Sequence, residues 1–166
     1  IIHLLSTFPN PKLILERIKN REQWSNSNTQ NQIKKNFRED NFRGKYINVE
    51  HHLAHLSSCF YVSPFSSSCI LSIDGFGDFA STVLGYGTNN NIKIDKKVFF
   101  PHSMGVFYEA MTRYLGFENY GDEYKVMGLA PYGKPIFFEK LKKLVLIKKG
   151  GEFRLNLDYF LFHKSK

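Results

Sequence analysis

His51 and His55 stand four residues apart in Glu50-His51-His52-Leu53-Ala54-His55, and Asp74 opens the run Asp74-Gly75-Phe76-Gly77-Asp78 downstream. Imidazoles at i and i+4 on a helix can hold one divalent ion, a carboxylate can supply a third ligand, and the positions left over suit water or a substrate oxygen. At about 100° per residue, a helix over 50–62 puts His51 and His55 beside Ala54 and Ser58, with Leu53, Leu56 and Phe60 on the opposite face. His52 points roughly 100° away from His51 and reads as a flanking residue. A histidine pair at this spacing is also common as a surface or hydrogen-bonded pair. A carboxylate leaving a strand shortly afterwards adds charge and a rigid mount, which favours a His51, His55 and Asp74 metal site.

Two further groups of residues could meet phosphate. The glycines of Gly75-Phe76-Gly77-Asp78 let a backbone turn tightly and present N–H groups to oxygens, although a plain hairpin turn has the same composition. Pro101-His102-Ser103-Met104-Gly105 has the look of a capped helix start, a natural anion site at which Gly105 would let a phosphate or ribose approach. Lys125, set among small and apolar residues, could neutralise phosphate or stand solvated. The candidate cofactor-binding residues are therefore Gly75, Phe76, Gly77, Asp78, Ser103, Gly105 and Lys125, and no catalytic residue is assigned.

The elements needed to position these groups are legible in outline. Residues 1–8 suit a strand, and Lys12 to Trp24 has the apolar spacing of an amphipathic helix with Trp24 in the core. Ser25 to Gln32 reads as a polar linker, with a weaker helix over Ile33 to Phe37 and a short strand over Lys45 to Val49. After the histidine helix, Cys69 to Ile73 resembles a strand buried on both faces. Asp74 to Asp78 makes a turn, and strands over Ala80 to Tyr86 and Ile92 to Phe100 flank a turn at Asn89-Asn90-Asn91. A helix capped by Ser103 and stopped near Gly116 carries Phe107, Ala110, Met111, Tyr114 and Leu115 on its apolar face. A short helix over 121–130, a helix over Ile136 to Lys149 ended by Gly150-Gly151, and a strand through Phe153, Leu155 and Leu157 complete the pattern.

The totals exclude several classes. The chain has 166 residues, enough for one sizeable core, but no initiator Met, and it starts and stops mid-pattern, as expected of a piece of a longer protein. No apolar run approaches the roughly 18 residues of a membrane span, and no signal-peptide pattern opens the chain, so a cytoplasmic protein is expected. The net charge of +8 comes from scattered lysine pairs, without an Arg-rich stripe or an aromatic RNA-binding signature, and a solvated basic surface explains it better than nucleic acid does. Cys59 and Cys69 form no zinc pattern or disulfide framework and are expected to be buried thiols.

Six strings together resemble the NodU/CmcH-type O-carbamoyltransferases: Val49-Glu50-His51-His52-Leu53-Ala54-His55, Ser63-Pro64-Phe65, Asp74-Gly75-Phe76-Gly77-Asp78, Pro101-His102-Ser103-Met104-Gly105-Val106-Phe107-Tyr108, Leu115-Gly116-Phe117, and Tyr124-Lys125-Val126-Met127-Gly128-Leu129-Ala130-Pro131-Tyr132-Gly133. The match runs in order from about residue 45 to the end, and residues 1–44 match only loosely. The resemblance implies an α/β chain of the ribonuclease-H-like, actin-like ATPase (ASKHA) fold, an incomplete fragment with a mixed sheet flanked by helices. Residues 1–48 would be a partial first lobe and polar linker, and 49–166 the core segment.

It further implies that ATP and carbamoyl phosphate yield a carbamoyl-adenylate, from which the carbamoyl group passes to the hydroxyl of a sugar or natural product. A divalent metal, iron or zinc, would sit on His51, His55 and Asp74, and a homodimer is among the assemblies it allows. The family's first strand and phosphate loop, its last metal-binding Asp and its adenylate-forming domain have no counterpart in the chain. By itself the chain is therefore expected to bind metal weakly and not to complete the transfer. Two rivals share these residues: a related threonylcarbamoyl- or hydrogenase-maturation-type transferase, and a truncated, non-catalytic remnant.

Overall fold

A computed structural model describes residues 47–162, together with positions 11–12, 15–16, 31–33, 35–36 and 44–45. The chain divides into two units, Ile1–Glu50 with Phe160–Lys166, and His51–Tyr159. In the first, the described positions from 11 to 36 are helical, including Asn31 and Gln32 at the end of the expected linker. The strand expected over residues 1–8 and the core position of Trp24 lie outside the described residues. At the described positions of the strand expected over Lys45 to Val49 no ladder is present, and Ile47 and Val49 are exposed.

The second unit is built on α1 (His51–Phe60), β1 (Ser67–Gly77), β2 (Ala80–Thr88), β3 (Asn91–Phe99) and α2 (Met104–Tyr114). The strands form one sheet in the order β1-β2-β3, antiparallel throughout. Among the described residues the sheets are antiparallel, where the family resemblance implies a mixed one. Both connections are two-residue hairpins, Asp78-Phe79 and Asn89-Asn90, and so short a link can join only antiparallel neighbours. Asp78 and Phe79 both have positive φ, 49° and 67°, the geometry of a tight hairpin that follows the right-handed strand twist.

His52, Leu56 and Phe60 recur every four residues and are the buried stripe of α1. They lie on the sheet face that carries Ile70, Ala80 and Val83, with Ile92 and Ile94 packed at the margin. Fully burying a Leu or Val side chain stabilises a fold by about 1.5–3 kcal/mol, so this small cluster holds α1 to β1 and β2. The opposite face of β1 is open: Leu71 and Ile73 are each 55% exposed, and Cys69 is exposed too. The expectation of a strand buried on both faces therefore fails, because a sheet of hairpins needs a cover on one side only. Cys59 is likewise an exposed thiol rather than a buried one.

Beyond the sheet, Ser103 caps α2 by accepting the Val106 N–H at 3.1 Å, and Gly116, at φ 92°, follows the helix end. Phe107 and Met111 are half-buried as expected. Ala110, Tyr114 and Leu115 are exposed, and the buried residue at that end of α2 is Thr112. Next come α3 (Glu123–Leu129), a 3-10 turn (Ala130–Tyr132), α4 (Phe138–Leu141), β4 (Val145–Ile147) and β5 (Phe153–Leu155). The long helix expected over Ile136 to Lys149 shrinks to α4. Val145-Leu146-Ile147 is instead β-prone and pairs with Phe153-Arg154-Leu155, and Gly150-Gly151 forms the hairpin turn rather than a helix stop.

Candidate metal centre

The β1–β2 register shifts between Ile73 and Gly77: Ile73 faces Thr82 and Gly77 faces Ala80, so Asp74, Gly75 and Phe76 together oppose Ser81 alone. Such a bulge bends a strand and re-aims its side chains. Here it carries Asp74 towards α1. The Asp74-Gly75-Phe76-Gly77 run is thus irregular strand rather than a free loop, and the turn is confined to Asp78 and Phe79.

Asp74 Oδ2 lies 2.6 Å from His51 Nε2 and 3.5 Å from His55 Nε2, and the two imidazole nitrogens are 3.1 Å apart. Asp74 Oδ1 accepts the Gly75 N–H at 2.6 Å, which fixes the carboxylate plane and leaves Oδ2 facing the histidines. Burial works against ionising this carboxyl, but the His51 and Gly75 hydrogen bonds and the charges of His51 and His55 hold it below the ordinary carboxylate value. The three side chains are 40%, 53% and 39% exposed, so the front of the cluster is open to solvent.

The donor set fits a divalent ion. One ligand atom from each of His51, His55 and Asp74 falls within 4.8 Å of the others. Two ligands at about 2.0–2.1 Å from a tetrahedral ion stand roughly 3.3 Å apart, close to the 3.1 and 3.5 Å separations, whereas the 2.6 Å between His51 Nε2 and Asp74 Oδ2 is a direct hydrogen bond that has to open to admit the ion. Three lone-pair atoms that converge on one point repel unless ring protons or a cation lie between them. Space is reserved as well: a side chain on Gly77 would run into the His51 ring. The His51 backbone N–H is capped by Asp78 Oδ2 at 3.0 Å, so both ends of the Asp74-to-Asp78 run meet the first residue of α1.

His52, which the helical wheel sets beside the ligands as a flanking residue, is fully buried. Its Nδ1 meets Ser72 Oγ at 2.8 Å and its Nε2 the Ala80 carbonyl at 3.0 Å. It pins α1 to the sheet, and the His52, Leu56 and Phe60 spacing is the signal in the sequence that marks this role.

Of the candidate phosphate residues, Ser103 and Gly105 are brought to the aspartate. Ser103 Oγ lies 2.7 Å from the Gly75 carbonyl and 3.2 Å from that of Asp74, and a side chain on Gly105 would sit 2.7 Å from the Asp74–Gly75 backbone. Around Gly75 nothing lies within 4 Å of the space a side chain would fill. The Phe76 and Phe100 rings meet at a tilt of 55°, with centroids 5.3 Å apart. Lys125 is paired with Asp122 at 2.6 Å, with its ammonium over the rings of Phe117 and Tyr124.

The model of the carbamoyltransferase N-terminus family matches residues 10–166. The chain is 45% identical over 112 residues to an uncharacterised protein, sll1178, of Synechocystis sp., a match covering 67% of the chain and 18% of that protein. It is 44% identical over 116 residues to the nodulation protein NolNO of Sinorhizobium fredii, covering 66% of the chain and 16% of the relative. With the nodulation protein NolO of Bradyrhizobium diazoefficiens it shares 42% over 114 residues, 66% of the chain and 20% of the relative. The matched region thus spans about a fifth or less of the length of these relatives. With the match running through the histidine helix, the bulged strand and the capped α2, the chain belongs to the carbamoyltransferase N-terminus family.

Proposed function

We propose that the chain is part of a cytoplasmic, ATP- and carbamoyl-phosphate-dependent O-carbamoyltransferase of actin-like ATPase fold. Its products would be carbamate esters, formed when a carbamoyl group passes from phosphate through carbamoyl-adenylate to the hydroxyl of a small acceptor. The observation that carries this reading is the convergence of His51, His55 and Asp74 in a chain of this family. Among the described residues, no helix is long and apolar enough to cross a membrane.

In this reading His51, His55 and Asp74 hold iron or zinc. When bound, the ion supplies a Lewis acid that neutralises phosphate charge and polarises the transferred group. The chain's own residues bind and orient. Gly75, whose N–H and carbonyl are held by Asp74 and Ser103, leaves the space of a side chain free for a phosphate or ribose to come close, and the first turn of α2, seated on the Asp74–Gly75 backbone by Ser103 and Gly105, directs its N-terminal dipole at the same place. Phe76 and Asp78 act by holding that run to Phe100 and to α1. Lys125 would have to exchange Asp122 for a phosphate oxygen.

Metal analysis and nucleotide binding on the full-length protein test the proposal. His51→Ala is expected to lose bound metal and to lower carbamoyl transfer by about a hundredfold, the upper end of the loss seen when only the support of a metal ligand is removed. Unchanged metal content and turnover in that variant would overturn it.

A further inference from the structure

We propose a second ligand site, for a small aromatic phosphate, in the cavity between β3 and the β4–β5 hairpin. The cavity measures about 290 Å³, near the lower end of small-molecule sites. Its lining sets three cations, Lys97, Lys148 and Arg154, against one carboxylate, Glu152. Its apolar lining is Val98 and Phe99 of β3, Phe100 just after it, and Phe153 from β5.

The walls are fastened together at both ends. Lys96 Nζ donates to the Gly150 carbonyl at 3.0 Å and ties the hairpin tip to β3, while the Leu155 N–H donates to His102 Nδ1 at 3.2 Å and closes the other end. That bond places the His102 ring proton on Nε2. The Phe100 ring is also in contact with the Phe76 ring. A preformed cleft with a net positive lining and flat apolar walls selects a ligand with both characters: an anion for Lys148 and Arg154, and an aromatic ring for the phenylalanines. A guanidinium can also bind phosphate through two parallel N–H bonds, which suits a phosphate monoester. This site shares no residue with the metal centre and does not rest on the transferase reading.

The test is an amide-resolved NMR titration of the chain with phenyl phosphate, alongside inorganic phosphate and phenol. Saturable shifts confined to residues 97–102 and 148–154 are expected, with phenyl phosphate bound at least about tenfold more tightly than either fragment. Lys148 and Arg154 are exposed, so Lys148→Gln with Arg154→Gln leaves the core intact and is expected to weaken binding at least about tenfold. A control with Lys93→Gln and Lys134→Gln, which removes the same charge elsewhere, is expected to bind as the parent does. Shifts centred on His51, His55 and Gly75, equal weakening in both double variants, or equal affinity for inorganic phosphate would each overturn the proposal.

Discussion

Asp78 Oδ2 accepts the backbone N–H of His51 at 3.0 Å, so the last residue of the Asp74-to-Asp78 run caps the helix whose first residue is a candidate ligand. Asp78 also occupies a left-handed conformation, φ 49°, which aspartate tolerates better than most residues. Asp78→Ala removes the cap and strains the turn, and is expected to cost about 1–2 kcal/mol in urea denaturation. Asp78→Gly relieves the turn but still lacks the cap, and Asp78→Asn keeps both features, so the expected order of stability is Asn, then Gly, then Ala.

Gly77 and Gly75 lie in the same run but differ in their surroundings. A side chain on Gly77 meets the His51 ring, whereas one on Gly75 meets nothing within 4 Å. Gly77→Ala is expected to displace His51 and weaken zinc binding by about 10–100-fold in a chelator competition, the range for disturbed supports of a metal ligand. Gly75→Ala should leave zinc affinity within about twofold and stability within about 0.5 kcal/mol. Equal effects from the two substitutions would remove the steric account of Gly77.

Much of this architecture is legible in the residues because it is local. The places of Leu56 and Phe60 in the buried stripe and the strand–turn–strand order follow from short-range spacing, and the cap by Ser103 follows from residue type, whereas His52 takes the buried position expected of Leu53, which is half-buried. The convergence of His51, His55 and Asp74 is legible because one helix and one adjoining strand supply all three. What is not legible depends on partners distant in sequence. The exposure of Leu71 and Ile73 is decided by which side of the sheet α1 covers, and an apolar run cannot announce that. Val145 to Ile147 continues a helical spacing, yet pairing with Phe153 to Leu155 across a glycine turn wins. The bulge at Asp74 is a mismatch between two strands and is written in neither alone.

His52 offers a test of the anchor between α1 and the sheet. His52→Leu keeps an apolar side chain in place but strands the Ser72 hydroxyl and the Ala80 carbonyl, each now satisfied by the ring. The expected cost is about 1–3 kcal/mol for the buried groups left without partners. Adding Ser72→Ala removes one of them and should recover part of the loss. A double-mutant cycle in urea that gives simple additivity would mean that the two side chains do not act together.

Asp122 and Lys125 give the chain a pH dependence of defined sign. Asp122, only 6% exposed, caps the turn before α3 by accepting the Asn119 backbone N–H at 3.2 Å and Lys125 Nζ at 2.6 Å. The Lys125 hydrogen bond, partly opposed by burial and reinforced by Asn119, holds its carboxyl below the ordinary 3.8, while the same bond raises the Lys125 ammonium above 10.5. A carboxyl depressed in the folded state contributes stability that is whole above its unfolded value and is lost as pH falls through its folded value. An ammonium raised in the folded state contributes stability that is whole below its unfolded value and is lost as pH rises through its folded value. The pair therefore stabilises the chain fully between these limits. Asp122→Asn is expected to lower the urea midpoint at neutral pH and to converge with the parent only below the ordinary carboxylate value, where the parent has lost the same contribution. Lys125→Gln should lower the midpoint at neutral pH and converge with the parent only above 10.5. Parallel midpoint curves for parent and Asp122→Asn across the acid range would show that the pair does not couple to folding.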